Sequence, residues 1–223
     1  MEEEVAALKK MLTDVETREI ASMEFAQGKL GNKSVVVVRC GIGKVNAAIC
    51  TQILALHYKV DVVINTGVAG SLRNDINIAD IVLSQDTLQH DVDATGFGYD
   101  LGVIPRMEQS IFPGDMDLIE KAKKICKEKL PSVGVHVGRI VSGDQFISDS
   151  SKKEWLVENF NGYCTEMEGA AIAQAAYLNK IPFLIIRAIS DKADQSAEMD
   201  YSEFENLAIE RSVILLTGLI DTI

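Results

Sequence analysis

Apolar residues fall into two rhythms along this chain. Short continuous runs occur at residues 34–40 (SVVVVRC), 61–66 (DVVINT), 79–84, 135–141 and 183–189 (FLIIRAI). Runs of this length, bounded by Gly, Pro or polar residues, read as strands buried on both faces of a parallel sheet. Residues 163–166 read as one more short strand. Helical spacing fills the intervals. Met1, Val5, Leu8 and Leu12 form one stripe, with Glu2, Glu3 and Glu4 in the first turn, where the helix dipole favours them. Val45, Ala48, Ile49, Ile53 and Leu56 form a second stripe. Leu118, Ala122, Ile125 and Cys126 are the inward face of a helix over residues 115–129, which Pro131 ends. An Ala-rich helix follows over 168–178. A last helix runs from about Ser202 with Phe204, Leu207, Ala208, Ile214 and Leu215 inward. Strands alternating with helices predict an α/β protein, with a doubly wound, mostly parallel or mixed central sheet between helices in three layers. No repeat, low-complexity tract or linker divides residues 1–223, so a single domain is expected.

Composition narrows the function classes. Of 223 residues, 22 are Lys or Arg and 33 are Asp or Glu, a net charge of -11. That balance argues against nucleic acid or an anionic membrane as partner. No apolar run reaches the roughly 18 residues of a membrane helix. The start, MEEEVAALKK, is unlike a signal peptide. Cys40, Cys50, Cys126 and Cys164 are widely spaced among apolar neighbours and read as reduced thiols of a cytoplasmic protein.

Small and polar residues gather just after the apolar runs: GIGK at 41–44, NTGVAG at 65–70, SGDQF at 142–146 and ISDKAD at 189–194. Ligands of α/β sheets bind outside the carboxyl ends of strands. Glycines at those ends let a ligand approach the backbone. None of these turns has Walker spacing, and no GxGxxG occurs. Asp191, at the end of the most apolar run, is a candidate acid whose pKa such a setting should raise. The plainer reading pairs it with Arg187 in a structural ion pair. Glu166 and Glu168 flank Met167 ahead of a helix, as dipole complements or as acceptors for a diol. Residues 89–105 form a long Gly- and Asp-rich loop, a kind that tends to be functional. His90, Asp91 and Asp93 within it could be metal ligands, but the chain has only three His and nothing completes a zinc geometry. No metal or cofactor is expected.

In this order, the segments around 40–44, 65–70, 141–144, Glu166-Met167-Glu168 and Arg187-Ala188-Ile189-Ser190-Asp191 resemble the 5'-methylthioadenosine/S-adenosylhomocysteine nucleosidases of the nucleoside phosphorylase superfamily. The resemblance spans essentially the whole chain. It implies hydrolysis of the N-ribosidic bond of methylthioadenosine, S-adenosylhomocysteine and 5'-deoxyadenosine in methionine salvage. It makes Asp191 the general acid at adenine N7, oriented by Ser190. Glu4 would activate water, with Arg187 close by. Glu168 and Met167 would hold the ribose, with Val68, Ala69, Gly70 and Glu166 also in the substrate site. Phe146 would stack on adenine and the Ile147 backbone would read its edge. Ile42, Met167 and Tyr201 would line the 5'-alkylthio pocket. Phe97 would enter the neighbouring subunit's site, which implies a homodimer. A purine nucleoside phosphorylase, an aminodeoxyfutalosine hydrolase and a non-catalytic adenosine-binding protein are the alternatives. Relatives carry a short apolar strand just before the MEEEV segment. Without it, the sheet is expected to show open edges and a loosely held Glu4.

Overall fold

The computed structural model describes residues 2–194 and 197–223, without the side chains of residues 3, 198–203 and 205. Helix α1 (Glu2–Met11) opens the chain and leads into strands β1 (Thr13–Ile20), β2 (Met23–Leu30) and β3 (Lys33–Val38). These three form an antiparallel meander in the order β1-β2-β3. The sequence pattern predicts neither β1 nor β2. The reason lies in β1, which is exposed along nearly its whole length and so has no apolar face to repeat. Its turn is nonetheless well made: Ala21 and Ser22 both have positive φ, 52° and 60°, as a two-residue type I′ hairpin requires.

Helix α2 (Lys44–Ile53) runs on through a π-helical turn, Leu54–Tyr58, to β4 (Val63–Ser71). Then come β5 (Ile81–Gln89), β6 (Phe112–Pro113), α3 (Met116–Lys129), β7 (Val135–Ser142), α4 (Ser150–Phe160), β8 (Cys164–Glu166), α5 (Gly169–Leu178), β9 (Phe183–Asp191) and α6 (Ala197–Ile220). Helix α4 is also absent from the sequence pattern, because it buries only Leu156 and Phe160. Its start is fixed by Asp149, whose side chain accepts from Lys152 N.

The second sheet is mixed, in the order β6-β5-β7-β8-β4-β9. β5 and β7, β7 and β8, and β4 and β9 run parallel; the other pairings are antiparallel. β9 also pairs with the start of β5, Ile81 opposite Ala188 and Leu83 opposite Ile186, so the sheet closes into a ring. β9 is buried throughout. Alternate residues explain this: Phe183, Ile185 and Ile189 pack with Ala171, Ile172 and Ala176 of α5, while Leu184 and Ile186 pack with α3 and α6.

Three sequence expectations are corrected here. Residues 34–40 are not a buried strand, since β3 is exposed to half-buried and lies in the small sheet. The expected stripe of α2 is inverted: Ala47, Cys50 and Thr51 are buried, while Val45, Ile49 and Leu56 are exposed. Small residues win because α2 packs closely on the Ala-rich α5. Leu207 of α6 is likewise exposed rather than inward, although Ala208 and Leu215 are buried.

Among the described residues, no strand pairs with β4 on its second edge over 63–69, nor with the second edge of β3. A cavity of about 1000 Å³ lies between them and reaches the carboxyl end of β9. Glu4 is not loosely held, however. Leu8 and Leu12 anchor α1 and the residue after it against Leu216 and Ile220 of α6 and Ala26 and Leu30 of β2. No described helix is long and apolar enough to cross a membrane.

Candidate active site

The site is built at the carboxyl end of β9. There the pairing with β4 slips: Ala69 faces Ile189, but Gly70 faces Asp191, so Ser190 is an extra residue. A bulge of this kind re-aims the side chains around it. Asp191 is only 2% exposed and lines the cavity. Its Oδ2 accepts from Ser190 Oγ at 2.8 Å and its Oδ1 from Ala193 N at 2.8 Å. A Cβ on Gly70 would come within 2.6 Å of Asp191 Oδ1 and 2.9 Å of Ala193 Cβ. Only glycine leaves the carboxylate this position.

Four residues back along β9, Arg187 is 1% exposed. Its guanidinium donates to Asn65 Oδ1 of β4 at 2.7 Å and to Glu166 Oε2 at the end of β8. Glu166 also accepts from Ser142 Oγ, from Glu168 N at 3.0 Å and from Gly169 N at 2.7 Å. Burial works to raise the Glu166 carboxyl, but Arg187 and these donors outweigh it and hold it below the usual carboxylate range. Burial likewise opposes the Arg187 charge, and Glu166 and Glu168 more than restore it. A buried pair of this kind is costly to break from one side.

Glu168 behaves oppositely. Burial first, and the Glu166 charge second, push its carboxyl above the usual range. Its Oε1 accepts from Gly43 N at 2.8 Å. The two carboxylates, two residues apart, are thus shifted in opposite directions: Glu166 is held charged by Arg187 and its donors, while burial and the Glu166 charge work against ionisation of Glu168. Glu4 arrives from α1, only 2% exposed, and accepts from Thr66 Oγ1 at 2.5 Å.

The cavity therefore gathers Glu4, Arg187, Ser190 and Asp191 with Val68, Ala69, Gly70, Glu166, Met167 and Glu168. Ile42, which is 75% exposed, and the half-exposed Phe146 stand on its wall. Ile147 and Phe97 are not among the residues that line the cavity of this chain. The Ile147 side chain is buried in a cluster with Leu72, Leu88 and Leu156 and does not line the cavity. Phe97 lies on the surface, 88% exposed. The Tyr201 side chain falls outside the described residues. Asn65, Thr66 and Ser142 are site residues that the sequence reading did not single out. Their signal was polarity at the ends of apolar strands. His90, Asp91 and Asp93 do not converge on a metal: Asp91 bonds to Lys44, and Asp93 accepts from Thr95 N and Oγ1.

Comparison with known proteins agrees with this geometry. The family model of the phosphorylase superfamily matches residues 1–221. The 5'-methylthioadenosine/S-adenosylhomocysteine nucleosidase of Exiguobacterium sp. is 45% identical over 205 residues, which cover 92% of this chain and 87% of that protein. The structure of the corresponding nucleosidase from Neisseria meningitidis, in complex with methylthio-immucillin-A, is similar with a TM-score of 0.96 at 36% identity. It covers 100% of this chain and 96% of its own. The futalosine hydrolase of Helicobacter pylori is similar with a TM-score of 0.94 at 32% identity, covering 100% and 95%.

Proposed function

The chain belongs to the phosphorylase superfamily, among its 5'-methylthioadenosine/S-adenosylhomocysteine nucleosidases, and from that premise we propose how it cleaves an N-ribosidic bond. The substrates are methylthioadenosine and S-adenosylhomocysteine, and the products are adenine and the 5'-thioribose. One observation carries the reading: a bulged strand end aims a buried Asp191, held by two donors, into a cavity that also contains Glu4 and Glu168.

Asp191 donates a proton to adenine N7. The C1′–N9 bond then breaks and its electron pair leaves with the base. The sugar passes through an oxocarbenium-like state, as in glycoside hydrolysis. Water adds to C1′ and gives its proton to Glu4. Glu168 accepts from the ribose hydroxyls, and its charge stabilises the positive charge that develops on the sugar. Glu166, with four protein donors already, holds Arg187 and the start of α5. Phe146 stacks on the base, the Ile147 backbone reads its edge, and Ile42 and Met167 face the 5'-alkylthio group. The exposed Val45, Ile49, Leu56 and Phe97 support a homodimer in which Phe97 of the partner subunit completes the site. Four free cysteines support a reducing, cytoplasmic setting.

The test is adenine release from methylthioadenosine in phosphate-free buffer. A strict requirement for phosphate would make the chain a phosphorylase instead. The likeness to a futalosine hydrolase favours one second reading, in which aminodeoxyfutalosine is the substrate. Faster release from that nucleoside than from methylthioadenosine would establish it.

A further inference from the structure

We propose that Asp91 is a positioning residue that clamps together the two turns forming the mouth of the site. One turn, 41–44, carries Ile42; the other, 142–146, carries Phe146. They come from different parts of the chain, and their separation sets the width available to a bound nucleoside.

The clamp is a closed cycle of three residues. Asp91 Oδ1 accepts from Lys44 Nζ at 2.6 Å, and Asp91 Oδ2 accepts from Asp144 N at 3.0 Å. Asp144 Oδ1 in turn accepts from Lys44 N at 2.8 Å. Lys44 Nζ also donates to Gln89 Oε1 at 2.9 Å, which ties the cycle to the end of β5. The ion pair is well shielded, with side-chain exposures of 17% and 20%. It therefore escapes most of the screening that makes surface pairs weak. Burial works to raise the Asp91 carboxyl, but Lys44 and the Asp144 amide more than offset it, so the group stays ionised.

The cycle also controls where α2 begins. Gly43, the residue before α2, has no side chain with which to cap the helix. The amides of Gly43 and Lys44 are taken instead by Glu168 Oε1 and Asp144 Oδ1, carboxylates from two other elements. Glu168 is the residue assigned to the ribose. Displacing the Asp144 side of this cap shifts the start of α2 and, with it, the donor that orients Glu168. From below, the buried His90 ring packs against Gly143, where a Cβ would come within 2.4 Å of it. The second turn is thus held from two sides.

This inference rests on the nucleosidase reading of the cavity, so its test has one arm with substrate and one without. In Asp91→Asn, KM for methylthioadenosine is expected to rise about tenfold, with kcat within about twofold, the scale of one lost charged hydrogen bond. Lys44→Met should do the same. Because both act through one cycle, the double variant should be no worse than the weaker-binding single variant. Without substrate, amide hydrogen exchange at Lys44 and Asp144 should quicken in each variant. Unchanged KM overturns the positioning role even if exchange quickens, since the cycle is then merely structural. Unchanged exchange, or additive effects on KM, overturns the clamp itself. A wild type that releases no adenine overturns the proposed reaction, while the exchange arm still reads the clamp.

Discussion

β4 and β9 lie side by side, run parallel and are both apolar, yet only β9 is sealed. β9 has β4 on one edge and the start of β5 on the other, with helices on both faces. β4 has β9 on one edge, while its other edge, over residues 63–69, opens on the cavity across from β3. Five of its nine residues are only half-buried. The difference separates two tasks. The strand that carries Arg187, Ser190 and Asp191 is immobilised by its neighbours, so these groups keep their geometry. The strand that bounds the ligand space contributes backbone and small side chains, and leaves room beside them.

Substitutions can break this comparison at either strand. The largest effect is expected at the end of β9. Asp191→Asn should lower the rate of adenine release by roughly 100- to 10,000-fold, the usual worth of a general acid. Inhibitor binding should stay measurable by calorimetry, and near-normal turnover would remove the residue from the mechanism. Next, Ile185→Ala, in the sealed core, should cost about 2–5 kcal/mol in urea unfolding. The same kind of truncation at Val37 of β3 should cost clearly less, because that side chain is only half-buried. Equal costs would mean that the two regions are equally well packed.

The open edge can be tested by filling it. Fusing an extended apolar strand ahead of Glu2, able to lie between β3 and β4, should raise the melting temperature and sharpen the transition. Each backbone hydrogen bond so gained contributes about 0.5–1.5 kcal/mol, less the entropy of ordering the strand. An unchanged melt would show that the edges are satisfied in some other way.

The smallest effect concerns the latch that closes the second edge of β9. The Asp80 carbonyl accepts from Ile189 N, and its carboxylate accepts from Asn77 N, Gly134 N and His136 Nε2. Burial works to raise this carboxyl, but those hydrogen bonds hold it below its ordinary value. A depressed folded pKa contributes stability above the unfolded value, about 3.9, and loses it as pH falls through the folded one. Asp80→Asn should therefore be less stable than the wild type at pH 6–7. The two should converge below about pH 4. A gap independent of pH would assign the effect to packing.

How much of this was legible in the sequence follows from burial. β4, β5, β7 and β9 announce themselves as apolar runs because each contributes side chains to the buried clusters on the sheet, and α3 does so because its buried face is wide. β1 and α4 carry little or no apolar face, so their presence follows from turns and caps that a periodicity search passes over. The stripe of α2 misled for a different reason: its packing surface is made of Ala47, Cys50 and Thr51, and hydrophobic size points the wrong way. In the site, Asp191, Arg187 and Glu168 could be picked out as charges at strand and helix ends. That Glu166 belongs to Arg187, or that Gly70 makes room for Asp191, depends on a bulge and a register that no linear pattern encodes.

The ring closure between β5 and β9 also fixes an order of events in synthesis. β9 joins partners roughly one hundred residues upstream and seats itself between strands that are already made. Contacts of such long range form slowly, because the loop must be closed before they stabilise anything. Until residue 191 leaves the ribosome, β4 and β5 lack their common neighbour. The nascent chain thus emerges with the strand edges that β9 will cover still open, an exposure of the kind that favours aggregation.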